Sequence, residues 1–102
     1  MIFIKIHDSE NGKILAMCDE KLIDEILSED ELVINIKNYQ DFYSGELIDK
    51  HENLSSRISL KEIFSANIIG EEAVALGIKN KIISKEHIKL INKIPYAHAY
   101  KI

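Results

Sequence analysis

Cys18, Asn67 and His98 supply the side-chain types of a thiol nucleophile, an orienting amide and a general base. They lie far apart in the chain, so only the fold can bring them together. Asp19 and Glu20 follow Cys18 directly, and neighbouring negative charge raises a thiol pKa, away from the reactive thiolate. A free cysteine closing an apolar run is more often a small buried hydrophobe. No catalytic residue is therefore assigned from the sequence. His7, His51, His87 and His98 show no paired spacing and Cys18 is the single cysteine, so no metal site is expected. The glycines at 12, 45, 70 and 77 are isolated, with no phosphate-cradling loop among them. Nothing calls for a cofactor.

A second polar constellation lies in SANIIGEEAVALGI, residues 65–78. Asn67 and Gly70 are poor helix formers inside an apolar, helix-like run. Two arrangements reconcile them with a buried face. Either the helix breaks at Gly70, with Asn67 capping one of its ends, or one helix continues, Gly70 admits a close neighbour, and Asn67 and Glu71 stack four residues apart. The broken helix is favoured. Asn67 and Glu71 then either act as a structural cap or line a small polar cleft.

Lys79, Lys81, Lys85, Lys89 and Lys93, with His87, form the basic run of the chain, relieved by Glu86. Its plain reading is a solvated lysine face. Its functional reading is a local contact with RNA or a ribonucleoprotein, extended by Arg57 and Lys61 and with Tyr96 or Tyr100 available for stacking. The formal charge of −4 is unevenly spread: residues 1–51 carry −7 and residues 52–102 carry +3. An acidic half argues against nucleic-acid binding over the whole surface.

These residues must be positioned by a chain of 102 residues, long enough for one hydrophobic core and one domain, 1–102. The bias to Ile, Lys and Glu fits heat adaptation or an AT-rich genome. One cysteine argues for a reducing compartment, and MIFIKIHDSENG is too short an apolar stretch for a signal peptide or membrane span. A soluble, cytoplasmic protein is expected. Its oligomeric state is open.

Ile2, Ile4 and Ile6 alternate along a strand, HDSENG turns through more than two residues, and Lys13 to Cys18 resumes an extended pattern. Asp19 is expected to cap a short helix over Glu20 to Leu27, ended by SEDE. Leu32 to Ile36 reads as a strand, and NYQDFYSGELIDKHENLSS as a loop with one short extended or helical piece, Gly45 needing a positive φ. Ser59 and Glu62 form a capping box, starting a helix through Leu60, Ile63, Phe64, Asn67, Ile68 and Val74, with Gly77 a left-handed terminator. Ser84 caps one further turn. His87 to Ile91 and Ala97 to Ile102 read as the last strands, separated by Asn92 to Tyr96. The expected architecture is α+β: a mixed or antiparallel sheet of four to five strands against two or three helices on one face.

CDEKL at 18–22, FYSGELI at 42–48, ANIIGEEAV at 66–74 and IPYAHA at 94–99 occur in the order and approximate spacing of a small archaeal family. The chain resembles that family, catalogued as domain of unknown function 424, over nearly its whole length. Matching residues are Cys18, Asp19, Glu20, Phe42, Tyr43, Gly45, Glu46, Asn67, Gly70, Glu71 and Pro95. Tyr96 and His98 depart from the family's Pro-His-Ala-Gln run, standing where His and Gln are usual. The resemblance implies a single-domain protein of this size and no settled activity. The resulting candidate cleft comprises Cys18, Asp19, Tyr43, Gly45, Glu46, Asn67, Gly70, Glu71 and His98. The expected function is a non-enzymatic module binding a protein or ribonucleoprotein partner, with a small enzyme or ligand-binding protein, its cleft around Asn67 and Glu71, as the alternative.

Overall fold

A computed structural model describes residues 1–100 of the chain. β1 (Ile2–Ser9) and β2 (Gly12–Asp19) form an antiparallel hairpin, Ser9 opposite Gly12, so Glu10 and Asn11 alone make the turn, a tighter one than the sequence suggested. β2 is followed by a single 3-10 turn, Glu20–Leu22, and a second hairpin of β3 (Ile26–Glu29) and β4 (Leu32–Asn35). One helical turn, α1 (Gln40–Tyr43), leads to β5 (Glu46–Ile48). β6 (Ile63–Ile69), α2 (Glu71–Lys79), β7 (Ile88–Ile91) and β8 (Ile94–Tyr100) complete the order.

The expected four to five strands and two or three helices on one face are overturned. Among the described residues there are eight strands and two α-helices, one of them a single turn. Six strands form a mixed sheet in the order β5-β1-β2-β6-β8-β7, and β3-β4 is a separate two-stranded sheet. Among the described strands only β2 and β6 run parallel.

The sheet is covered on both faces. Ile2, Ile4, Leu15, Met17, Ala66, Ile68, Ala97 and Ala99 meet Ala73, Val74 and Leu76 of α2 in the main core. On the other face Cys18, Ile69 and Ile91 pack with Leu22, Leu27 and Ile36 from the region of the second hairpin.

That double coverage explains the largest misreading. Residues 60–69 hold one 3-10 turn, Leu60–Glu62, and then β6, not a helix. A central strand buried on both faces loses its alternation, and IFSANII mimics helical spacing. Ser59 does cap, accepting the Lys61 N–H at 3.3 Å, but only for that 3-10 turn. The expected helix over Glu20 to Leu27 fails because Ile26–Glu29 pairs with β4 and the chain turns at Asp30 and Glu31, with Asp30 at φ 54°. Gly77 lies inside α2, and its absent Cβ leaves room for Ile68 and Ile83. The last hairpin turns at Asn92 and Lys93, both at positive φ, so β8 starts three residues earlier than expected. Residues 101 and 102 of the expected final strand lie outside the described residues.

Gly70 does break the run, but between β6 and α2. Its φ is 112°, and a Cβ there would lie 2.2 Å from the Asp19 carboxyl carbon. Gly70→Ala is therefore expected to destabilise the protein by more than the roughly 1–3 kcal/mol that backbone strain costs. Denaturant melting measures this, and an unchanged or raised midpoint would contradict the geometry.

Candidate functional site

β2 and β6 run parallel and end side by side, Cys18 opposite Ile69, which brings Asp19 to Gly70. Asp19 is 1% exposed. Its carboxylate accepts the Ala73 N–H at 2.7 Å and the Glu72 N–H at 3.2 Å, capping α2 across 54 and 53 residues of chain. The 3-10 turn that follows Asp19 receives no such bond. Burial raises the Asp19 carboxyl above its usual range, and the two amide donors pull it partly back. An endogenous carboxylate thus occupies the place an anion would take at this helix start.

Cys18 is fully buried, and burial with the adjacent Asp19 charge pushes its thiol up to about 12. Tyr43, tucked near it, is also pushed up by burial to about 12. Asn67 and His98 are cross-strand neighbours on β6 and β8, two residues further along their strands from the Ile69–Tyr96 pair beside Cys18. Asn67 is half-buried and His98 exposed. The thiol is thus enclosed at one end of this face, while the imidazole opens to solvent.

The remaining candidates scatter. Glu71 is exposed at the first turn of α2, in a groove with Lys50 and His51. Glu46, at the β5 edge, pairs with Arg57 at 2.7 Å, and Arg57 also pairs with Glu52. Gly45 has no positive φ; it lets β5 approach β1, since a Cβ would sit 2.2 Å from the Ile4 carbonyl oxygen. Asp19 and Gly70 therefore form one cap, and Asn67 and Glu71 stand on different elements rather than four residues apart on one helix.

The lysines divide as well. Lys79 faces the Glu71 groove, and Lys89 and Lys93 belong to the β7–β8 hairpin. Lys81, Lys85 and His87 line a groove of about 540 Å³ that ends on Tyr100. Tyr100 meets Phe64 edge-on with ring centroids 5.9 Å apart, and His98 at 4.6 Å. Phe64 in turn lines a second groove of about 440 Å³ with Lys13, Lys61 and Glu62. Lys13 is ion-paired with Asp8 there. An aromatic triad thus joins two lysine-bearing grooves.

Tyr100 and Lys61 are recognisable as candidates from their residue types, whereas Phe64 reads as part of a helix and Lys13 as the start of a strand. Phe64 sits at a register irregularity, where β2 slips between Lys13 and Ile14 against Ile63 and Ser65. Such a bulge re-aims a side chain without leaving a mark in the hydrophobic pattern.

Asp19→Ala leaves the buried Ala73 N–H unpaired and is expected to cost about 1–3 kcal/mol, with Asp19→Asn costing less. Because folding raises the Asp19 pKa, the native state binds more protons than the unfolded chain as pH falls toward its unfolded value. Wild type should gain stability relative to Asp19→Asn between pH 7 and about pH 4; a gap that instead narrows would refute the burial of an ionised Asp19. For Cys18, alkylation by iodoacetamide should be slow at neutral pH and become rapid only on unfolding, as mass spectrometry would follow.

Among the described residues no helix is long and apolar enough to cross a membrane. No curated protein matches the sequence. The fold is similar to that in the "Crystal structure of an uncharacterized conserved protein from Methanopyrus kandleri", with a TM-score of 0.76 at 21% identity over 97% of this chain and 90% of that one. A family model described as "Protein of unknown function (DUF424)" matches residues 6–102, a span holding every candidate named above, and the chain belongs to that family.

Proposed function

We propose that this protein is a non-enzymatic binding module that contacts single-stranded RNA, as part of a ribonucleoprotein, through the surface around Tyr100. The carrying observation is the Phe64–Tyr100–His98 triad bridging one groove with Lys13 and Lys61 and another with Lys81, Lys85 and His87. Unstacked bases lie on exposed aromatic rings whatever their identity, and lysines on either side follow the phosphates. Tyr100 is 64% exposed, which leaves much of its side chain open to a base. The locality of the patch fits a chain whose overall charge is negative: binding rests on a short track rather than on the whole surface.

The enzymatic alternative has less support. Cys18 has no accessible thiolate, and the proposed polar cleft would need Asn67 and Glu71 on one wall, whereas one lies on the sheet and the other on α2.

Fluorescence anisotropy with labelled single-stranded RNA tests the reading. Binding should fall steeply between low and high salt. Tyr100→Ala should weaken it by the roughly 1–3 kcal/mol of one stacked base, about 5- to 150-fold. Lys81→Glu with Lys85→Glu should weaken it further and flatten the salt dependence. Absence of binding at low salt, or a Tyr100→Ala variant that binds like wild type, would reject an RNA contact here and leave a protein partner for this surface.

A further inference from the structure

A different surface carries the opposite chemistry. Val33, Ile34, Asn35, Ile36, Tyr39, Phe42 and Tyr43 line an apolar groove of about 400 Å³. Consecutive residues of a strand point to opposite faces, so a groove touching both Val33 and Ile34 runs along the flank of β4. No β3 residue lines it, which makes that flank the one facing away from β3. The groove therefore accompanies an unpaired strand edge.

The two outer edges of the six-stranded sheet are guarded. β5 has only three residues and an ion-paired Glu46. β7 carries Lys89, and the turn after it donates the Asn92 N–H to Glu29 of β3 at 2.6 Å. β4 reads LVIN, with Leu32 44% and Val33 57% exposed, and has no Lys, Pro or bulge to discourage pairing. A two-stranded sheet is itself marginal and gains from a third strand.

The rim gives the occupant its charge. The segment 24–41 carries a net −5; within it the exposed Glu31 directly precedes Leu32 of β4 and the exposed Asp41 directly precedes Phe42 of the groove, whereas Glu29 is bonded to the β7–β8 turn and Asp24 to Gln40. Lys5 also reaches this region, donating to the Asp41 carbonyl oxygen at 2.6 Å. With the exposed Asp30 in the hairpin turn beside Glu31, the balance there remains acidic. We propose that β4 and its groove bind an extended, lysine- or arginine-bearing segment of a partner protein by strand addition, alternate apolar side chains entering the groove and basic ones meeting the acidic rim. This surface is independent of the RNA track, which lies at the Tyr100 end of the sheet, whereas the second hairpin packs at the Cys18–Ile69 end.

The test uses the full chain and three short blocked peptides: alternating Lys and Val, the same with a central Pro that removes an N–H, and alternating Glu and Val. The Lys–Val peptide should bind, weaken with salt, and slow amide exchange within Leu32–Asn35. The Pro and Glu peptides should bind at least about tenfold more weakly. Val33→Lys, at an exposed position, should abolish peptide binding and leave RNA titrations unchanged. Failure of the Lys–Val peptide to bind, equal binding of the Pro or Glu peptide, or insensitivity to Val33→Lys overturns the proposal. A concentration-dependent dimer dissolved by Val33→Lys also overturns it, in favour of a second copy at this edge.

Discussion

The buried Asp19 carboxylate is the contact through which the core is closed. It stands at the end of β2, beside the end of β6, and binds the first free amides of α2. Gly70 makes this possible by having no side chain where the carboxylate lies, and its N–H is held by the Pro95 carbonyl of β8 at 2.9 Å. The chain start joins the same corner: Met1 accepts the Glu20 N–H at 3.0 Å, and its ammonium pairs with Glu72 at 3.3 Å. Four segments distant in sequence thus converge on one charge. α2 covers the main core face, so its placement, and with it the burial of Leu15, Met17 and Ile68, depends on that junction. A helix start left with unpaired buried amides would cost more than its nine residues gain from local propensity.

The rigid sheet separates two surfaces of opposite character. At the Ile14–Ser65–Tyr100 end, the strand register and the β2–β6 irregularity gather aromatic rings and lysines from β2, β6, β8 and the segment after α2. At the Cys18–Ile69–Tyr96 end, the second hairpin and α1 close a smaller core and leave an apolar groove beside an acidic hairpin turn. His7, opposite Ile14 in the β1–β2 register, helps seat α1 against β1, stacked on Phe42 at 4.7 Å and bonded to the Phe42 carbonyl at 2.8 Å. The charge imbalance between the two halves of the chain acquires a spatial meaning from this arrangement, with the acids concentrated at the hairpin and the lysines of the second half exposed along loops and strand edges.

Legibility in the sequence followed the range of the interaction. The β1–β2 hairpin was readable because Ile2, Ile4 and Ile6 alternate before a turn, and β4 because Leu32 and Ile34 do the same. The Gly70 break was readable because glycine is a local conformational signal. β3 was missed because Leu22, Ile23, Ile26 and Leu27 satisfy a helical spacing equally well. β6 was missed because both of its faces are buried, which erases the two-residue period. Of the candidate site, Lys61, Lys81, Lys85, His87 and Tyr100 were identifiable by type, but Phe64 and Lys13 join them only through strand register.

By itself the sequence determined that the chain carries a hairpin at its start, a break at Gly70, an acidic first half and a basic second half, because each of these is a property of neighbouring residues. Tertiary structure alone decided that Asp19 caps a helix 53 residues away rather than the turn that follows it, that Cys18 is sealed from solvent, and that Asn67 and Glu71 part company. The physical reason is common to all three. A carboxylate, a thiol and an amide each have several acceptable local partners, and the choice among them is made by which strands pair and where their ends meet.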